Sequence, residues 1–385
     1  MADAAFRFVL TIGIVNLFAD LTYEGGASIN GAFMGSLGAS AAVISIVAGL
    51  GEFLGYSLRS VAGYVADRTG RHWSLTFLGY TINLLAVPAM ALAGNWPVAA
   101  ALILAERIGR ALRKPTVEAM LSYTTGKHGK GWVYAVNTAL DETGATLGPL
   151  VAAAVLFFKG SYQNAYAMLL LSTLLALATL TVARLRFPVP AALGREESRP
   201  EQGFRASYWL YMCGAACFAA GLTSYELISY HLTRTGIIAP PWIPVLLAFA
   251  TGSGVIANLV LGKSFDRFGL PVLLAATVLS ALFTPLALIT DHWWLVIAAM
   301  PLLGIGYAVQ DTLLKAVVAG MLPEGRRDLA FGLFYTGYGG GWLVGSIAMG
   351  LLYDNSREAL VAIAVAAQLA ALPVFWVAER RRIRG

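Results

Sequence analysis

The chain is expected to be an all-α polytopic membrane protein, with twelve transmembrane helices in two pseudo-symmetric six-helix halves around a central cavity. Three observations predict this. Hydrophobic residues make up 58% of its 385 residues and charged ones only 12%, about half the share of a soluble protein. Mean hydropathy is +0.69, so much of the apolar surface must face lipid. Finally, one charged stretch occurs twice. Gly63, Asp67, Arg68 and Gly70 of GYVADRTGRH (63–72) fall on Gly262, Asp266, Arg267 and Gly269 of GKSFDRFGLP (262–271). The offset is 262 − 63 = 199 residues, close to half the chain.

At roughly 20 residues per span, the apolar runs place spans near 7–34, 39–66, 73–93, 97–123, 132–158, 164–184, 207–233, 242–263, 271–290, 294–321, 329–353 and 359–378. Open sheets are excluded, because backbone groups in hydrocarbon must pair within the segment. A barrel would alternate apolar and polar residues, and these runs are continuous. Residues 1–184 form the expected first bundle and 207–385 the second, which ends in a short basic tail. Between them, 185–206 carries Pro188, Pro190 and Pro200 among charges and should be a cytoplasmic linker.

Cations fix the orientation. Loops and tails on one side hold eighteen Lys and Arg, against Lys159, Arg234 and Arg357 on the other. This predicts a multi-pass protein of the cytoplasmic (inner or plasma) membrane with both termini in the cytoplasm. The net charge of +6 expresses that bias and implies no nucleic-acid partner. No cleavable signal is expected, because Asp20 and Glu24 interrupt the first apolar run. Cys213 and Cys217 have the character of small buried hydrophobes, so no metal site is expected.

Charge inside a membrane helix is costly, by roughly 2.5–3.5 kcal/mol per residue on insertion scales, so its placement is informative. Span 1 carries Asn16, Asp20, Glu24 and Ser28 at intervals of four, with Tyr23 beside them. Span 4 carries Glu106, Arg110, Lys114 and Glu118, flanked by Arg107 and Arg113. Span 5 adds Asn137, Asp141 and Glu142; span 7 adds Glu226, Tyr230 and Arg234; span 10 adds Tyr307, Asp311 and Lys315. A spacing of four stacks side chains on one helix face. These polar stripes should converge on a hydrated cavity and supply its substrate- and proton-binding groups. For Asp20 and Glu24 the competing reading is structural pairing with the span-4 arginines. For Asp311 and Lys315 it is mutual pairing at i, i+4. A one-residue slip separates Leu21-Thr22-Tyr23-Glu24 from its partner Leu222-Thr223 followed by Tyr225-Glu226. Glycine pairs four apart, including 31/35, 51/55, 144/148 and 341/345, should allow close helix contacts.

The two charged stretches resemble the signature loop of the major facilitator superfamily and its degenerate second copy, and the resemblance covers the whole chain. FADLTYEG (18–25), RIGRALRKPTVEAM (107–120) and ALDETGATLGP (139–149) are similar to bacterial efflux-type permeases. The resemblance implies a secondary active transporter that moves a small polar or amphiphilic solute by alternating access, with proton-coupled export. It also implies a conformational latch at Gly63, Asp67, Arg68, Gly70, Arg71, Asp266 and Arg267. In it, Asp67 would meet the start of span 11 and nearby span-4 cations. The chain departs from the pattern at His72, at Leu270-Pro271 and at Ala152, which leaves the direction of transport open. Uptake of a nutrient, organic anion or metal is the same-fold alternative; a non-transporting membrane sensor is the alternative of another class. Ala257–Ser264 matches a loose phosphate-loop pattern, but it lacks the strand and glycine-rich loop that the pattern needs. The expected partners are therefore substrate, protons and lipid, with no nucleotide, no cofactor and no catalytic residue, in a monomer.

Overall fold

The computed structural model describes residues 2–122, 130–187, 205–319 and 327–384. Most of the expected linker at 185–206 lies outside these residues, and the side chain of Asp67 is likewise not among those described. The described chain is helical and contains no strand. Its helices are α1 (Ala2–Ser36), α2 (Ala41–Thr69), α3 (His72–Ala89), α4 (Trp96–Ser122), α5 (Lys130–Lys159) and α6 (Tyr162–Arg186). Then follow α7 (Ala206–Gly221), α8 (Tyr225–Thr235), α9 (Trp242–Phe268), α10 (Leu270–Ala281) and α11 (Phe283–Leu288). The last are α12 (Trp293–Ala308), a π-helical turn at Val309–Leu313, α13 (Leu314–Ala319), α14 (Arg327–Tyr353) and α15 (Arg357–Arg384).

Among the described residues, nine helical segments are long and apolar enough to cross a membrane. The expected spans outside that set are 97–123, 207–233 and 329–353, and each has a physical reason. Helix α4 carries Glu106, Arg107, Arg110, Arg113 and Lys114 across its middle. Helix α14 is diluted by Gly332, Gly337, Gly339, Gly340, Gly341, Gly345 and Gly350. The span at 207–233 is not one helix. It breaks at Leu222–Ser224, where the Ser224 hydroxyl caps α8 by accepting from the Leu227 N–H at 3.4 Å. Ser224 is also the extra residue behind the one-residue slip between the two Leu-Thr…Tyr-Glu copies.

The charged stretches are mostly helix rather than loop. Gly63–Thr69 is the last part of α2, and 262–268 the last part of α9. Only the second glycine of each turns the chain: Gly70 at φ 66° and Gly269 at φ 67°, a region favoured by glycine. The sequence repeat is therefore also a repeat of helix ending.

Residues 2–187 pack through α1 against α5 and α6, and through α3 against α4 and α6. Residues 205–384 pack through α7 against α14 and α15, and through α9 against α12. Three seams join these groups: α2 with α14, α5 with α9, and α1 with α8. At the α1–α8 seam, a Cβ on Gly31 would fall on the Glu226 carbonyl oxygen. Gly35 faces the Tyr230 ring, 2.6 Å from where its Cβ would stand. Of the expected glycine pair 51/55, only Gly51 serves a helix contact, α2 with α4. Gly51 makes room for the Arg107 side chain, and Gly55 faces open space.

Candidate functional site

The polar stripe of α4 runs into the middle of the bundle, and Arg107 is its hub. Arg107 is 5% exposed. Its guanidinium donates to the Tyr23 hydroxyl and to Glu52. It also donates to Glu226 Oε1 at 3.1 Å, and its Nε lies 3.4 Å from Glu106 Oε2. These partners sit on α1, α2, α8 and α4 itself, so one cation ties together four helices and crosses the α1–α8 seam. Buried charge is tolerated only when paired and hydrogen-bonded, and three carboxylates with a phenol meet that requirement. Asn83 of α3 supports Glu106 from behind, donating to its side chain and, at 3.2 Å, to its backbone carbonyl.

One helical turn further, Arg110 lays its guanidinium over the Tyr23 ring, 3.9 Å from the centroid. Arg107 stands 5.1 Å from the same ring. Tyr23 is thus a shared cation–π surface for two arginines. Half-buried Glu24 lies within the electrostatic reach of Arg110, as does Asp20. Arg113 continues the stripe, donating to Asp20 Oδ1 at 3.2 Å and lying 4.6 Å from the Tyr80 ring centroid. The Tyr80 hydroxyl donates to Asn16, which donates to Asn137 Oδ1 of α5 at 3.0 Å. The stripes on α1, α4 and α5 are therefore linked by hydrogen bonds together with the cation–π contact of Arg113 on Tyr80.

The remaining sequence-selected groups lie outside that inner tier. Asp141 and Glu142 are half-buried on α5, and Glu142 feels the charges of Asp311 and Lys315 from the other group of helices. Asp311 and Lys315 pair at 3.0 Å with side chains 51% and 41% exposed. Tyr230 lies midway along α8, and its hydroxyl accepts from Arg234 at 3.1 Å, one turn further on; it does not join Glu226. His231 is buried against the Tyr353 hydroxyl at 2.7 Å. Among the described residues no group of three or more His, Cys, Asp or Glu has metal-site geometry. Of the latch set, Gly63 faces Pro115 of α4, 3.6 Å from where its Cβ would stand. Arg68 donates to the Tyr64 hydroxyl at 2.8 Å. Arg71, Asp266 and Arg267 are exposed.

Two participants were not singled out by spacing. Glu52 is a lone acid in an otherwise apolar span, and that isolation was the available signal. Gln310 sits in the π-helical turn, where its Nε2 donates to the Tyr56 hydroxyl. The Tyr338 hydroxyl donates to Gln310 Oε1 at 3.0 Å. A π turn inside a helix is a frequent mark of a functional position.

The family model described as Major Facilitator Superfamily matches residues 11–270 and 206–384. The chain belongs to that superfamily. It is 35% identical over 390 residues to an uncharacterised protein of Mycobacterium tuberculosis, covering 99% of this chain and 95% of that one. It is 25% identical to an uncharacterised MFS-type transporter of Methanocaldococcus jannaschii, covering 91% and 89%. Among solved structures, the nucleoside transporter NupG superposes with a TM-score of 0.76 at 12% identity, over 96% of this chain and 98% of that one. The peptide transporter POT in complex with sulfate gives 0.76 at 14%, over 98% and 94%. Those likenesses establish the fold. A multi-pass membrane transporter of this superfamily is thereby established, and its family and fold are those of a transporter rather than an enzyme.

Proposed function

We propose that the protein is a proton-coupled secondary transporter that exports a small polar or amphiphilic solute across the cytoplasmic membrane by alternating access. In this reading residues 1–184 and 207–385 are the two moving bundles, and both termini lie in the cytoplasm. The observation that carries it is the buried ion pair between Arg107 and Glu226. It spans the seam between α4 and α8, and a pair across that seam must break and re-form if the bundles rock about a central site. Carboxylates outnumber guanidiniums around it, as a proton-carrying site requires. Asp20, Glu24 and Glu226 are the exchange candidates. A bound cationic group or a proton would satisfy them in turn, so the two compete for one place.

Proteoliposomes test this. Asp20→Asn, Glu24→Gln and Glu226→Gln should each be assayed for pH-gradient-driven accumulation and for substrate counterflow. Loss of accumulation with counterflow retained, in at least one variant, supports proton exchange, because counterflow needs no net proton movement. Full gradient-driven flux in all three moves coupling to Asp141, Glu142 or Asp311. Flux indifferent to the gradient in the unaltered protein makes it a uniporter. Binding without any flux makes it a sensor.

A further inference from the structure

The inner and outer tiers of the polar interior differ in charge balance, and the difference names a class of cargo. In the outer tier Arg59, Lys114 and Lys315 stand against Glu118, Asp141, Glu142 and Asp311, one negative charge in excess when all are ionised. In the inner tier Asp20, Glu24, Glu52, Glu106 and Glu226 stand against Arg107, Arg110 and Arg113. Five carboxylates face three guanidiniums, two negative charges in excess when all are ionised. Asp20 is taken by Arg113, and Glu106 by Asn83 and Arg107. The excess therefore falls on Glu52 and Glu226, which share one guanidinium from opposite sides of the seam.

The walls of this space are aromatic. Tyr23 already receives two guanidiniums on its ring. Tyr56, one turn from Glu52, receives Arg59 at 4.8 Å and stacks on Tyr335 with ring centroids 5.4 Å apart. Tyr307 lies in the field of Glu226, Glu24 and Glu52, and Tyr338 in that of Glu52. Tyr335, Tyr338 and Trp342 follow one another at i, i+3 and i+7 along one face of α14. The Tyr338 ring meets Trp342 at 5.9 Å. That face points inward, since Tyr335 stacks on Tyr56 and Tyr338 bonds Gln310. Trp342 is only 6% exposed, yet its indole N–H has no hydrogen-bond partner. A buried donor left unmade costs about 1–3 kcal/mol, so an unpaired donor on this face calls for an acceptor from a ligand.

We propose that Glu226 and Glu52, with the tyrosine faces around them, form the receptor for the charged head of an organic cation, a place that Arg107 holds in the arrangement described here. The cargo would displace a guanidinium by an ammonium of the same charge. Tyr56, Tyr307 and Tyr338 would contact the head by cation–π attraction, and Trp342 would donate to an acceptor on the body. Arg107 stays tethered to α4 with Glu106 as its remaining carboxylate, so the cargo adds one positive charge to a tier with two negative charges in excess. An anionic cargo would add to an excess of negative charge and is disfavoured by the same tally.

This inference rests on the transporter reading, and binding can be tested apart from flux. The purified full-length protein in detergent is titrated with benzyltrimethylammonium, with its uncharged isostere neopentylbenzene, and with phenylacetate. Tryptophan fluorescence and thermal stability report binding. The expected result is saturable binding of the ammonium alone, weakened at least about tenfold by Glu226→Gln and by Glu52→Gln, the size of one lost charge-assisted contact. Because these acids hold Arg107, either variant could misfold. The three-probe comparison on the unaltered protein needs no variant, and Tyr307→Phe against Tyr307→Ala gives a further check. Phe keeps the π face and should retain affinity, whereas Ala should lose it. Preferential binding of phenylacetate, equal binding of the neutral isostere, or ammonium affinity unchanged in folded Glu226→Gln would each overturn the proposal. In proteoliposomes, flux of anions or neutral solutes only would overturn this site while leaving the transporter reading intact. Ammonium binding without flux would do the reverse.

Discussion

The interiors of residues 2–187 and 205–384 are built from different chemistry although their charged repeats are shared. The first group holds its centre together with charge: Arg107, Arg113, Asp20 and Glu106 are each no more than 8% exposed. The second group uses phenols, amides and hydroxyls. Its bonds include Tyr56–Gln310–Tyr338 at the seam, Thr223 with Thr284 at 2.9 Å, and His231 with Tyr353. Its one central acid, Glu226, finds its cation on α4 rather than in its own group. The charged pairing is thus concentrated on one side of the seam. An electrostatic change at the seam should therefore act mainly through the first group, and a neutral change mainly through the second.

The sharpest way to break this contrast is to remove the hub. Arg107→Gln leaves Glu52, Glu106 and Glu226 without their common cation. Breaking a buried pair by deleting one partner costs about 3–5 kcal/mol, and transport should fall to background. Gln310→Ala on the other side removes neutral hydrogen bonds worth about 1 kcal/mol each. Thermal unfolding in detergent and flux in proteoliposomes measure both. Equal losses in the two variants would end the asymmetry.

A somewhat smaller effect is expected at the α1–α8 seam. Gly31→Val places a side chain where the Glu226 carbonyl lies, so the seam cannot close as it does here. The chain should still insert, since valine is tolerated in a membrane helix. The balance between states should shift, slowing flux about tenfold, equivalent to about 1.4 kcal/mol. Thiol labelling of Ser28→Cys checks the cause. Ser28 is fully buried in this arrangement, so its labelling should rise in the Gly31→Val background. Unchanged labelling with normal flux would show that the seam need not close.

What could be read from the chain alone follows the range of each interaction. Spacing of four placed Asp20 and Arg110 on stripe faces, because a helix face is a local property; Arg113, beside its stripe, meets Asp20 at 3.2 Å once the two helices pack. Glu52 lacked a charged companion at i+4, where Tyr56 stands, and so was not read as a stripe, although a lone acid in apolar sequence carries the same physical message. The break at Leu222–Ser224 was not legible, because no proline or glycine within it marks the place and a single serine cap decides it. Tyr230 has the right spacing from Glu226 but is bonded by Arg234, one turn further along α8. Only tertiary packing assigns Arg107, rather than Arg110, as the partner of Glu226.

The smallest effect is expected where the two groups of helices are least desolvated. Asp311 and Lys315 pair at i, i+4 on the π-helical turn and α13, with about half of each side chain exposed. Pairs of this kind contribute about 0.3–0.5 kcal/mol, and water screens them. The double exchange Asp311→Lys with Lys315→Asp keeps the pair and the net charge while reversing its direction along the helix. If the pair is structural, thermal stability should stay within that margin and flux should hardly change. If these groups touch the cargo, flux should collapse while stability is kept, because Glu142 across the seam would then face a lysine where it now faces an aspartate. Paired measurement of melting temperature and flux on the same preparation separates the two. The second result would extend the charged working surface to the group of helices that otherwise operates with neutral groups.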